Sequence, residues 1–231
     1  MSELNNLYDN TLTQSQHPFE QLLEHFNISQ TPELLETIRT KYKNTIIPDT
    51  LIERIEWAIN KPPKFVARSG ESIVKQRKNA AIKEKTWGNS MINQTDCKQW
   101  TTKLGENLVK DILNIKGENP RKPLTKNNLS PDWETDDYIY EVKTRSWNVG
   151  GTAGEKVLGT FIKYQDIPEL YGKPLKIVCV AYQEDELTNG KTVYFGDNIT
   201  EKTQEILNIA KKWNIEYITF SDLVKSLFTN S

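Results

Sequence analysis

Asp132, Glu141 and Lys143 are the residues of this 231-residue chain whose types and spacing could do chemistry. They lie in the run Ser130-Pro131-Asp132-Trp133-Glu134-Thr135-Asp136-Asp137-Tyr138-Ile139-Tyr140-Glu141-Val142-Lys143-Thr144-Arg145. Tyr138 to Thr144 is rich in β-branched and aromatic residues and reads as a strand. Strand side chains alternate, which puts Glu141 and Lys143 on one face with Ile139, and Tyr138, Tyr140, Val142 and Thr144 on the other. Thr135-Asp136-Asp137 has turn chemistry. A hairpin there brings Asp132, on the incoming strand, beside Glu141. Two carboxylates and an ammonium then converge on one point. A hard divalent cation takes oxygen ligands of this kind, and a lysine beside it can orient or polarise a water. The plainer reading of the same residues is an ion pair on a strand surface.

The elements that must position this run lie on both sides of it. Trp100 to Ile115 carries the stripe Leu104, Leu108, Ile112 and Ile115 of an amphipathic helix. Gly105-Glu106 interrupts its early turns, and Glu106 either points at the sheet or stays solvated. Residues 116–129 are polar and rich in Asn, Pro and Lys, so a loop. Beyond the strand, Ser146 to Lys156 holds Gly150, Gly151 and Gly154. This is no Walker A motif, because Glu155-Lys156-Val157 stands where Gly-Lys-Ser/Thr is needed. Small residues and open N–H groups suit close approach to a phosphate backbone, with Arg145, Thr152 and Lys156 as candidate contacts. Residues 155–171 are mixed. Leu175 to Tyr182 is almost continuously apolar, a buried central strand. Val193-Tyr194-Phe195 is a short edge strand, Thr200 to Trp213 a helix, and Ile215 to Phe220 a last strand. Ser221 caps a final helix, Asp222 to Phe228. This order predicts the α/β class, with a mixed central sheet flanked by helices.

The first half is an α-helical N-terminal extension. Phe19, Leu22, Leu23 and Phe26 have helical spacing. Thr31-Pro32-Glu33 starts a second helix, continued by Leu34, Leu35, Ile38 and Tyr42. Asp49 precedes a third, with Leu51, Ile52, Ile55 and Ile59. Residues 1–60 carry four basic and nine acidic groups, and residues 61–85 carry eight basic and two acidic. That second stretch is a candidate polyanion footprint in an otherwise balanced chain. The alternative is a solvated helix face. Lys61-Pro62-Pro63-Lys64 opens the block, and Ser69-Gly70-Glu71-Ser72 caps a helix over roughly 71–85. Its candidate DNA contacts are Lys64, Arg68, Lys75, Gln76, Arg77, Lys78 and Asn79. Gln76 and Asn79 have the side chain that pairs with an adenine edge. The reading places a helical region with the basic and dimerising elements at 1–99 and the chemical core at 100–231.

Bulk composition excludes several classes. The formal net charge is −1, with 36% hydrophobic and 26% charged residues, as in ordinary soluble proteins. No apolar run reaches membrane-spanning length, and the N-terminus lacks a secretory pattern. Cys97 and Cys179 are isolated, which suits a cytoplasmic protein. Two His and two Cys give little to hold zinc.

Pro131-Asp132, eight further residues and then Glu141-Val142-Lys143, with the Glu106 helix before and a buried strand after, resembles the catalytic core of the PD-(D/E)xK nucleases. The resemblance covers roughly residues 100–220. The length, and the run from Glu141 through Gly151-Thr152-Ala153-Gly154-Glu155-Lys156, look like type II restriction endonucleases. The resemblance implies a restriction-endonuclease-like core and Mg²⁺-dependent hydrolysis of phosphodiesters in double-stranded DNA. It makes Asp132 and Glu141 metal ligands, with the Val142 carbonyl and Glu106 as further ones. Lys143 positions the attacking water. One such site cuts one strand, so clean double-strand cleavage implies a homodimer reading a palindrome. The rival readings are a nuclease of the same fold without sequence preference, in repair, recombination or phage biology, and a non-catalytic DNA-binding protein.

Overall fold

The computed structural model of the protein describes residues 18–67, 71–148, 153–188, 195 and 199–229, without the side chains of residues 49 and 153–156. The chain divides into two units, Met1–Ile47 and Pro48–Ser231. The described part of the first holds α1 (Glu20–His25) and α2 (Pro32–Tyr42). The Thr31 hydroxyl caps α2 by accepting from the Leu34 N–H at 3.3 Å. Pro32 sits in the first turn, where a missing N–H costs nothing. Phe19, Leu22, Leu23, Ile38 and Tyr42 are buried. Phe19 meets Tyr42 edge-on with centroids 5.3 Å apart. Arg39 grips the buried Glu20 carboxylate at 2.8 and 3.4 Å, the fork geometry of a guanidinium on a carboxylate.

The second unit holds α3 (Asp49–Ile59), α4 (Ile73–Met91), α5 (Trp100–Lys116), β1 (Trp133–Glu134) and β2 (Ile139–Arg145). There follow α6 (Ala153–Lys163), α7 (Ile167–Tyr171), β3 (Leu175–Ala181), α8 (Tyr182–Thr188), α9 (Glu201–Lys212), β4 (Ile215–Thr219) and α10 (Phe220–Lys225). The strands form one sheet in the order β1-β2-β3-β4, antiparallel at β1–β2 and parallel thereafter. This is the expected mixed sheet with helices against it. β3 lies between β2 and β4, as its nearly continuous apolar run implies, and Leu175, Ile177, Val178, Cys179 and Val180 are all buried.

The two faces of β2 meet different helices. Ile139 packs with Leu175, Ile177 and Ile215 against Phe161 of α6, Tyr164 just after it, Ile167 of α7 and Ala210 of α9. Alternation therefore turns Glu141, Lys143 and Arg145 toward the α6 side. Thr144, on the opposite face, meets α5. Gly105 does not break that helix, contrary to expectation. It lets the helix approach the sheet: a Cβ on Gly105 would lie 1.7 Å from Thr144 Oγ1. Gly105→Ala is expected to lower stability by about 1–3 kcal/mol through overpacking. Thr144→Ala in the same chain should recover part of the loss, since Oγ1 and Cγ2 are two of the three closest atoms. Denaturant midpoints of the two single variants and the double variant measure this. Strict additivity would remove the contact as the cause.

Three further differences have local causes. Residues 155–171, read as mixed, form α6 and α7, and Val157, Phe161 and Tyr164 supply the buried helical spacing. The loop at 116–129 is partly tied to the sheet edge, because Arg121 bridges Glu134 through main-chain bonds of 2.9 and 2.8 Å. The last strand stops at Thr219, whose hydroxyl caps α10 by accepting from Asp222 N–H at 2.9 Å, in place of Ser221. The expected edge strand at 193–195 lies outside the described residues apart from Phe195, which is buried. Among the described residues no helix is long and apolar enough to cross a membrane.

Candidate active site

β1 is short, but its pairing continues one residue outward. The Asp132 N–H donates to the Tyr140 carbonyl at 3.0 Å, beyond the Trp133–Tyr140 and Glu134–Ile139 pairs. This sets Asp132 beside Glu141 at the edge of the sheet. One Asp132 oxygen accepts from the Val142 N–H at 2.7 Å, so the carboxylate itself closes the ladder where β1 ends. Pro131 just before it is buried and cannot donate a backbone hydrogen bond. Val142 is buried between Glu141 and Lys143.

Glu141 is buried. Lys143 reaches back along the strand face and donates to Glu141 Oε1. Glu141 Oε2 is buried and has no hydrogen-bond partner among the described residues. Burial raises the proton affinity of Glu141, and the neighbouring Asp132 charge raises it further, against the pull of Lys143 and of the Tyr164 phenol. Tyr164 is held in its protonated form by burial and by the Glu141 charge.

Glu106 arrives from the other face. The Trp133 indole N–H donates to the Glu106 carbonyl at 2.9 Å, which fastens α5 to β1. The Glu106 carboxylate has Lys122 at 3.5 Å. Burial raises its proton affinity as well, and Asp132 is the next cause. Asp132 thus stands between two carboxylates whose protons it helps to hold. Folding favours protonation of Glu106 and Glu141, so the stability they confer is present in acid and is lost as pH rises through their raised values.

A hard cation suits this donor set. Mutual repulsion among the three acids and an unsatisfied buried oxygen on Glu141 are features that a positive charge relieves. Among the described residues no three His, Cys, Asp or Glu side chains are arranged as a ready ligand cluster. Each acid is instead turned to a protein group: Asp132 to a main-chain N–H, Glu141 to Lys143, Glu106 toward Lys122.

Two clefts adjoin Lys143 and Arg145. One, of about 420 Å³, is lined by Lys143, Arg145, Thr160, Lys163, Tyr164 and Gln183 among others. The second, of about 450 Å³, shares Arg145 and brings in Lys64, Phe65, Arg77, Trp147 and Tyr182. Arg145 stacks on Tyr182, 4.4 Å from its centroid, and pairs with Glu186 at 2.7 Å. Lys64 and Arg77 of the basic block therefore share a cleft with the end of β2. Lys75 and Lys78 are exposed on α4, which Ser72 caps by accepting from Lys75 N–H at 3.2 Å. Gln76 and Asn79 are engaged within the block: Gln76 donates to the Val66 carbonyl at 2.9 Å and Asn79 to the Glu71 carboxylate at 3.3 Å. Arg68 and Thr152 lie outside the described residues, as does the side chain of Lys156.

Sequence reasoning passed over Glu84. It is an acid within a basic run, yet its carboxylate is buried on the inner side of α4. Its Oε1 accepts from the Trp57 indole at 3.0 Å and the Trp147 main-chain N–H at 2.9 Å. Its Oε2 accepts from the main-chain and side-chain N–H groups of Asn148 at 3.1 and 2.9 Å. The Trp147 indole donates to the Trp57 carbonyl at 2.8 Å. One side chain thus joins α3, α4 and the segment leaving β2. An acid among eight basic residues was the only signal in the sequence.

No family model matches the chain, and no curated protein and no solved structure matches it either.

Proposed function

We propose that this chain is a Mg²⁺-dependent endodeoxyribonuclease of the PD-(D/E)xK kind that cuts double-stranded DNA at a palindromic site as a homodimer. The observation that carries the reading is the sheet-edge constellation: Asp132 beside Glu141, Lys143 on Glu141, and a buried Glu141 oxygen with no hydrogen-bond partner among the described residues. Asp132 and Glu141 would hold the cation, with the Val142 carbonyl and Glu106 as further donors. Bound there, Mg²⁺ supplies Lewis acidity and a water of lowered pKa.

The protein's own groups do the rest. Glu141 holds the Lys143 ammonium on the strand face from which the attacked phosphate is approached. As negative charge builds on the phosphate oxygens, that ammonium stabilises it more than in the ground state. Lys143 also donates to the attacking water and fixes its direction. Asp132 is immobilised by the Val142 N–H, so the carboxylate need not be ordered during reaction. The clefts carrying Lys64, Arg77 and Arg145 supply cations for phosphates along the duplex. One constellation per chain accounts for one cut, and two copies about a two-fold axis account for both strands.

Incubation of the purified chain with supercoiled plasmid and Mg²⁺ tests the reading. Discrete linear fragments are expected. A smear would replace the site-specific nuclease by a nonspecific one, and a gel shift without cutting would leave a DNA-binding protein. No effect on DNA would overturn the proposal.

A further inference from the structure

The three cations of the smaller cleft are unequally neutralised. Lys143 is paired with Glu141, and Arg145 with Glu186. Lys163, the last residue of α6, is exposed and has no carboxylate partner among the described residues. Its ammonium rests against Tyr164, 3.1 Å from the phenol oxygen and 4.6 Å from the ring centroid. Glu186 is further satisfied by Gln183, which donates to it at 2.8 Å. The cleft thus holds three cations against two engaged carboxylates, with space of about 420 Å³ between β2, α6 and α8.

The order of these groups along β2 gives the cleft its direction. Residues on one face of a strand follow one another at about 6.6 Å, two residues at roughly 3.3 Å each. Glu141, Lys143 and Arg145 stand at three successive positions on that face, two such steps from end to end, running from the Asp132 edge into the cleft. An anionic chain laid along this face meets Glu141 and Lys143 first and the cleft next. Lys163 is not among the residues that motif and charge pattern single out.

The geometry points to a phosphate site in this cleft, with Lys163 as its principal cation, for the DNA phosphate adjoining the one attacked at Asp132–Glu141. The inference rests on the nuclease reading for its ligand. The cleft's affinity for a phosphate group can be measured without it.

Two measurements on the full chain, both in EDTA so that nothing is cut, test this site. In the first, duplex binding is followed across a salt series. Lys163→Ala should flatten the log–log slope by about 0.9, the value of one phosphate contact, while Lys202→Ala on α9 leaves it unchanged. In the second, inorganic pyrophosphate should raise the melting temperature of the wild-type chain and raise it less in Lys163→Ala. Lys163 is exposed, so its loss should leave folding intact, which the melting curve itself reports. Either difference supports the site. If the wild-type chain ignores duplex but its pyrophosphate shift depends on Lys163, the phosphate site stands and the nuclease reading falls. Identical slopes together with identical pyrophosphate responses overturn the inference.

Discussion

Lys143→Ala is expected to abolish DNA cleavage while leaving duplex affinity within a few-fold. The side chain is held on Glu141, and in the proposed reaction it would act on charge that develops only as the phosphate is attacked. Its removal also leaves the buried Glu141 carboxylate without its cation, so the proton affinity of Glu141, already raised by burial and by Asp132, rises further. Lys143→Arg keeps the charge and separates the two effects. It should restore a folded, metal-responsive site but little cleavage, because a planar fork does not fill the place of a compact ammonium. Single-turnover cleavage at saturating protein, paired with binding in EDTA, is the measurement. Retention of a tenth of the wild-type rate by Lys143→Ala would remove Lys143 from the chemistry.

The largest expected effect on stability is at Glu84. Glu84→Ala leaves four N–H donors of Trp57, Trp147 and Asn148 without their acceptor. Unsatisfied buried donors cost about 1–3 kcal/mol each, and water re-entry offsets part of the sum. A net loss on the order of 3 kcal/mol corresponds to roughly 6–12 °C in melting temperature for a unit of this size. Glu84→Gln keeps one good acceptor and sets an amide against the Asn148 donors, so it should fall between wild type and Ala. A shift under about 2 °C for Glu84→Ala would mean that water replaces the carboxylate at no cost.

Much of the arrangement was legible because it rests on local rules. Alternation along Ile139–Arg145 was enough to put Glu141 and Lys143 on one face, and turn chemistry at Thr135–Asp137 was enough to bring Asp132 back beside them. The apolar run of β3, interrupted only by Lys176, announced a strand covered on both sides. What escaped depended on partners remote in sequence. Gly105 looked like a helix breaker because a glycine that permits close packing and one that ends a helix are the same letter; only Thr144 on the sheet tells them apart. The glycines at 150, 151 and 154 masked the spacing of Val157, Phe161 and Tyr164, and with it α6 and Lys163. Glu84 was invisible for the same reason, since its donors come from α3 and from beyond β2. Gln76 and Asn79, candidates for reading adenine, have side-chain amides that donate inside the basic block.

The carboxylate of Glu84 also has a bearing on how the chain reaches its final form. Its bonds to Trp147 and Asn148 span 63 and 64 residues, and the Trp57–Trp147 bond spans 90. Closing loops of that length must precede any reward from the contacts they bring. Helices such as α5, built on neighbours in sequence, have no such wait. The exit of β2, and with it the setting of Arg145, is therefore expected to form late in folding. A chain halted just short of that stage would hold its helices and its Asp132 hairpin while the route from Lys143 to the basic block was still unassembled. Weakening Glu84 should accordingly speed unfolding more than it slows folding.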